Sequence, residues 1–234
     1  PGPVYWQQQA DYLIDVELDE TNNRILGSET ITYHNNSKDT LDYLWMQLDQ
    51  NLFDPKMMAH QSRTTSGLND QSFNQFEGLL NAQKFDGGYK ITAVKDAAGK
   101  PLKHVIVQTM MRIIPPQPLK PGGKITFSVD WSFNIIDATK IRARMGYELF
   151  KEYKNHLYAL AQWFPRMCAY TDVTGWQNKQ YLGTGEFALE FGDYLVRITA
   201  PADHIVASTG ELQNPEAVLT KAQRDRLAKA RDAK

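Results

Sequence analysis

Cysteine is nearly absent. Cys168 stands alone, which excludes an internal disulfide framework and any metal site built from several thiolates. Flanked by Met167 and Ala169, it reads as a small buried hydrophobe, not a nucleophile. Long apolar runs are missing as well, none approaching the roughly 18 residues that a membrane helix needs. Charge of one sign is not in excess either: 26 Lys and Arg against 27 Asp and Glu leave a net charge of −1. No global field therefore favours nucleic acid or an anionic membrane as partner.

Catalytic signatures are equally scarce. A zinc site of the His-Glu-x-x-His type needs two histidines one helical turn apart, whereas His34, His60, His104, His156 and His204 stand at least 26 residues from one another. No Gly-x-Ser-x-Gly elbow, phosphate loop or dinucleotide fingerprint occurs. Gly183-Thr184-Gly185 precedes a strand pattern, the wrong context for a phosphate cradle. Asp15 and Glu17 share the outer face of a strand, where solvation explains them better than acid-base work. His156 and His204 read as exposed or hydrogen-bonded structural residues.

What is present is β patterning. With 234 residues, 42% of them hydrophobic, the chain can bury a substantial core as one large β domain or two small ones. Tyr12, Ile14, Val16 and Leu18 alternate with Leu13, Asp15, Glu17 and Asp19, the period of a half-buried strand. Thr21, Asn22 and Asn23 supply turn chemistry. Ile25, Gly27, Glu29, Ile31 and Tyr33 then mark a second strand, and Leu44, Met46 and Leu48 a third. From Phe53 to Asp86 the polar composition predicts a long surface excursion with one short helix. Strand patterns resume over Tyr89 to Ala93, Val105 to Val107, Met110 to Ile114 and Lys124 to Ile135, the last introduced by a proline-glycine connection. Glu186 to Thr199 predicts a hairpin turning at Gly192 and Asp193, and His204 to Ser208 a last short strand. Ala217 to Lys234 then reads as a solvated helix with Pro215 near its start. Its charged end is what a chain cut before its next element would show.

The stretch Leu157 to Tyr181 stands apart from this pattern. It gathers Trp163, Phe164, Trp176, Tyr158, Tyr170 and Tyr181 around Gln162, Arg166, Cys168 and Asp172. Aromatic clusters of this density are usually core, so the residues favour an aromatic hinge closing a sandwich over a loop carried to the rim of a neighbouring active site.

The opening run YLIDVELDETNNRILGSETITYHNNSKDTLDYLWMQL resembles the first strands of the amino-terminal domain in the zinc aminopeptidase family of aminopeptidase N and leukotriene hydrolase, the gluzincin metallopeptidases. Tyr12, Ile14, Gly27, Ile31, Asn35 or Asn36, and Ser37 carry the pattern. Gln162-Trp163-Phe164-Pro165 with Asp172 resembles the family's Gln, Phe-Pro and Asp run, and Phe187 to Gly210 its closing strand pair. Gln162 sits nearer to the Phe-Pro pair than in many members and Val173-Thr174 replace Glu-Pro, which points to a divergent bacterial branch.

The resemblance implies an all-β fold, a saddle-like β-sandwich of mostly antiparallel strands with a carboxyl-terminal helical tail. It implies a domain over residues 1–210, with 211–234 as a helical tail or the start of a link to a missing catalytic domain. Such a domain is not itself catalytic. It would cover a catalytic metallopeptidase domain of the same polypeptide, which holds the zinc, and would help shape the cleft for the amino terminus of a peptide substrate. No cofactor is expected in this chain. Gln162 is the expected hydrogen-bonding partner of the substrate, with Trp163, Phe164 and Tyr170 around it; read structurally, Gln162 is a buried amide bonded to backbone. The absence of a starting methionine at Pro1, with the signal peptides common among similar proteins, points to export or a bacterial periplasm. The other class of reading is a free-standing carbohydrate- or protein-binding β-sandwich, with Trp163, Trp176 and Tyr181 as an exposed stacking platform.

Overall fold

The computed structural model describes residues 5–57, 72–141, 143–183, 185 and 188–232. The chain is mostly β. Two long strands, β1 (Gln9–Asp19) and β2 (Arg24–His34), form the expected hairpin. It turns through Asn23, whose left-handed backbone (φ 49°) suits asparagine. Next come β3 (Leu44–Gln47), a 3-10 helix at Asp49–Phe53 and helix α1 (Phe73–Lys84), the short helix foreseen within the polar excursion. Residues 58–71 of that excursion lie outside the described residues.

Strands β4 (Lys90–Asp96), β5 (Lys103–Val107), β6 (Met110–Ile114) and β7 (Lys124–Asn134) follow the sequence pattern closely. After them come β8 (Gly146–Phe150), β9 (Asn155–Ala159), β10 (Arg166–Met167), β11 (Tyr170–Thr171), β12 (Gly175–Trp176) and β13 (Tyr194–Thr199). Helices α2 (Pro215–Val218) and α3 (Lys221–Asp232) complete the chain. It divides into two compact units, Pro1–Thr199 and Ala200–Lys234.

A five-stranded sheet runs β13-β1-β2-β7-β4 and a four-stranded sheet β10-β3-β6-β5, with β8-β9 and β11-β12 as two-stranded ribbons. Among the described strands the pairings are antiparallel except β1 with β13.

That exception corrects the hairpin expected over Glu186 to Thr199. Glu186 and Phe187 lie outside the described residues, and the second half of the segment pairs in parallel with β1. The reason is the corner at Gly192. Ala10 N donates to the Phe191 carbonyl at 3.0 Å, Tyr12 N to the Asp193 carbonyl at 2.8 Å, and Asp193 N to Asp11 Oδ1 at 3.0 Å. A β-carbon at Gly192 would collide with the Ala10 carbonyl, so glycine is required for this approach. The strand expected at His204 to Ser208 is likewise not formed; among the described residues no edge pairs with it.

Both sheets feed one core. Ala10, Tyr12, Ile14 and Val16 of β1, Ile25, Ile31 and Tyr33 of β2, and Phe127, Val129, Trp131 and Phe133 of β7 meet Leu44, Met46, Met111 and Ile113 of the second sheet. The period of two does this, turning Asp15 and Glu17 outward to exposed positions. Each such buried aliphatic side chain contributes roughly 1.5–3 kcal/mol. Gly27 faces Trp131 across the β2–β7 pair, and the indole occupies the space where a side chain would stand.

Glu29 occupies an inward position of β2. It is 1% exposed, and neither of its carboxylate oxygens finds a partner among the described residues. Burial alone pushes its carboxyl well above the usual range.

Two outcomes are expected. Gly27→Ala forces the indole to move and lowers stability by about 1–3 kcal/mol, read as a reduced urea midpoint at unchanged slope. For Glu29, the folded state keeps a proton that the unfolded state releases near pH 4.3. Its contribution is complete below that pH and is lost as the pH rises towards the folded value. Urea titrations between about pH 4 and pH 8 should show this fall in the native sequence but not in Glu29→Gln. Parallel profiles would mean that Glu29 has found a partner.

Candidate functional site

The site grows from the loop between β9 and β10, residues 160–165. Its rings turn inward onto the five-stranded sheet. Trp163 lies 6.1 Å from Trp131 and 4.9 Å from Phe164; Phe164 meets Tyr12 edge-on at 5.7 Å, and Tyr12 stacks on Tyr194 at 4.8 Å. Tyr89 extends the row, 5.6 Å from Trp131. Edge-to-face pairs at these distances add about 0.5–1.5 kcal/mol each beyond the area they bury. The Tyr12 hydroxyl also accepts a bond from Met167 N at 2.8 Å, which seats β10 beside the row. Trp176 packs on Tyr33 at 5.9 Å, and Tyr181 is buried. The rings of the aromatic stretch therefore pack largely against the core.

Gln162 holds a left-handed backbone, φ 52°, which costs a non-glycine residue of the order of 1 kcal/mol. Neighbours hold it there. The Gln50 side-chain nitrogen donates to the carbonyls of Ala161 and Gln162 at 3.2 and 3.0 Å, and Gln50 is itself 1% exposed. The Gln162 amide oxygen accepts from the Tyr181 hydroxyl at 3.4 Å. Thr109 fixes Tyr181 in turn: its hydroxyl accepts from Tyr181 N and donates to the Gln180 side-chain oxygen, both at 2.8 Å.

Beneath the loop lies an ion pair. Arg166 donates through Nε at 3.0 Å, and again through Nη2, to Asp49 Oδ2. The Asp49 side chain is 2% exposed and that of Arg166 16%. Burial raises the Asp49 carboxyl above its ordinary range, and Arg166 opposes that shift. Asp49 Oδ1 has no partner among the described residues. Cys168 is fully buried nearby, and burial, with Asp49 adding to it, drives its thiol strongly upward, which leaves it inert.

These residues enclose a cavity of about 240 Å³ lined by Asp49, Arg144, Ala161, Gln162, Arg166, Tyr181 and Leu189. Of the residues expected to meet a substrate, Gln162 is at the cavity. Trp163, Phe164 and Tyr170 are not among its lining residues. Trp163 and Phe164 brace the loop from behind. Tyr170 stacks on Trp6 at 6.1 Å, and its hydroxyl donates to Asp39 at 2.8 Å. Asp172 is exposed in the turn between β11 and β12. Asp49, Arg144 and Leu189 were not foreseen, and no local motif marks them.

Three histidines of the unit Pro1–Thr199 have defined partners. His34 Nε2 lies 2.9 Å from Asp11 Oδ2, His104 Nδ1 3.0 Å from the Leu102 carbonyl, and His156 Nδ1 2.9 Å from Glu20 Oε1. His34 thus ties β2 to β1, and His156 ties β9 to the turn after β1; among the described residues of that unit no three ligand groups converge.

The chain is similar to M1 zinc metallopeptidases. No protein-family model matches it, and no curated protein does. Among solved structures, a two-domain M1 zinc metallopeptidase variant bound to L-tryptophan aligns with 89% of this chain and 38% of its own, at 12% identity and a TM-score of 0.41. A variant from Deinococcus radiodurans bound to a tyrosyl-seryl-alanine substrate aligns with 88% of this chain and 37% of its own, at 12% identity and a TM-score of 0.41. An M1 zinc metallopeptidase from the same organism covers the same shares at 12% identity and a TM-score of 0.39. The chain thus spans less than two-fifths of the length of these structures.

Arg166→Met is expected to destabilise the fold by about 3–5 kcal/mol, because it leaves a buried carboxylate uncompensated. Chemical denaturation of the variant measures this directly.

Proposed function

We propose that this chain is the non-catalytic amino-terminal domain of a zinc-dependent aminopeptidase, and that it forms one wall of the cleft that receives the amino terminus of a peptide. The observation that carries the reading is the presentation of Gln162. A residue with an unfavourable backbone angle is clamped from two sides by Gln50 and Tyr181, and its amide borders a cavity large enough for part of a ligand. Strain of this kind persists where surrounding structure imposes it, and function is the usual beneficiary. The resemblance of the Gln162 to Pro165 run to the peptidase family's glutamine supports the same reading.

In this proposal the zinc and its ligands belong to a catalytic domain of the same polypeptide, and this chain supplies shape and hydrogen bonds to the substrate. The proposed domain is residues 1–210, which takes in the compact unit Pro1–Thr199, and residues 211–234 begin the link to its partner. The packing of Trp163 and Trp176 against the core and the burial of Tyr181 speak against these three rings as the exposed stacking platform of a free-standing sugar- or protein-binding module.

In the full-length protein that carries this chain, Gln162→Ala should lower kcat/KM for release of an amino-terminal residue by about ten- to a hundredfold, the worth of one or two hydrogen bonds to a charged group. The variant's unfolding midpoint should move little. A full-length protein with no zinc-dependent aminopeptidase activity would overturn the proposal.

A further inference from the structure

The two larger sheets end in β13, β4, β10 and β5. An open strand edge offers a row of backbone groups to any other chain, and short strands, bulges and charged side chains discourage that pairing. β4 is bulged between Ile91 and Ala93 and carries Lys90 and Lys95. β10 is only two residues long, and β13 holds Arg197 near its centre, paired with Asp15. β5 is different. Its one lysine, Lys103, stands at its start, and Val105, Ile106 and Val107 follow at 49%, 41% and 53% exposure.

The neighbouring ladders fix which backbone groups of β5 face outward. Cys168 N donates to the Trp45 carbonyl at 2.9 Å, so Trp45 turns its groups to β10, and the next residue, Met46, bonds β6 through its partner Met111. Met110 and Arg112 then bond their partners Val107 and Val105. The N–H and C=O of His104 and Ile106 are left pointing away from the sheet, with no partner among the described residues. The Gln180 side-chain nitrogen donates to the Val107 carbonyl at 2.9 Å, at the end of the strand, and leaves both residues open.

We propose that β5 pairs with β5 of a second copy of this chain, antiparallel about a two-fold axis through Val105. In this register His104 lies opposite Ile106 of the second copy and Ile106 opposite its His104, so every outward group of the edge finds a partner, roughly four hydrogen bonds in all. A shift by two residues in either direction sets His104 or Ile106 against itself and leaves the other unpaired. Val105 meets Val105 at a position where side chains approach most closely. Charge allows the arrangement: Lys103 falls opposite Val107, and the two copies of Lys103 stand about 14 Å apart, beyond the screening length of about 8 Å at physiological salt. The two four-stranded sheets become one continuous sheet. The pairing does not depend on the peptide cleft.

Sedimentation equilibrium of this chain between about 10 μM and about 1 mM tests it, with a dissociation constant of the order of 100 μM expected for so short an interface. Val105→Lys and Val105→Glu, each checked as folded by its urea midpoint, should each weaken the dimer about tenfold or more, because like charges then meet on the axis. An equimolar mixture of the two should restore it. In the unaltered chain the amides of His104 and Ile106 should gain protection from hydrogen exchange across the same concentration range, while Val105, already bonded to β6, should not change. A monomer throughout the range, or a dimer in which those two amides stay unprotected, overturns the pairing. Dimerisation that Val105→Lys leaves unaltered does the same, and folded variants that dissociate without recovering on mixing overturn the two-fold register.

Discussion

The buried pair between Asp49 and Arg166 is the constraint on which the rest of the site depends. It joins the start of the 3-10 helix that follows β3 to the first residue of β10, two points 117 residues apart in the chain. Removing both ions from water is costly, and their attraction repays it only when the geometry holds. The surrounding polypeptide is therefore committed to one arrangement of these elements. Gln50, next to Asp49, is brought under the 160–165 loop by the same commitment, and its side chain then holds the left-handed turn at Gln162. Without the pair, nothing in the local sequence would select that turn.

The aromatic row supplies the second restraint. Trp163 and Phe164 sit on rings from β1 and β7, so the loop is anchored to the larger sheet while Arg166 anchors it to the smaller one. Gly27 belongs to this arrangement, since the absence of its side chain makes room for Trp131, which in turn receives Trp163. A glycine within a strand weakens the strand itself; here the loss is offset by indole packing. Glu29 is the unusual member of the same face, a carboxyl whose burial pushes it well above the usual range.

The strand pattern was legible because a half-buried strand writes its two faces into alternate residues. Tyr12, Ile14 and Val16 could be assigned inward by inspection, and Asp15 and Glu17 outward. The hairpin of β1 and β2 followed from Asn22 and Asn23. The segment after Gly185 was not legible in this way. Its apolar residues fit a hairpin as well as they fit an edge strand, and the outcome was decided by the free edge of β1 and by the close approach that Gly192 permits. His204 to Ser208 shows the same limit, since alternation describes a strand only where an edge is available to pair with it.

Of the candidate site, Gln162 and Arg166 stood out within an aromatic stretch, but their companions did not. Asp49 is an ordinary acidic residue after a short strand, and Arg144 follows a stretch without regular pattern. The sequence by itself determined which residues alternate, where the turns fall and that the chain lacks a zinc-binding motif, because these are properties of neighbours along the backbone. Only the tertiary structure decided that Asp49, Gln162, Arg166 and Tyr181 share one cavity, and that the new strand beside β1 runs parallel to it. Those outcomes depend on burying charge and closing sheets between residues more than a hundred positions apart, and no local pattern encodes them.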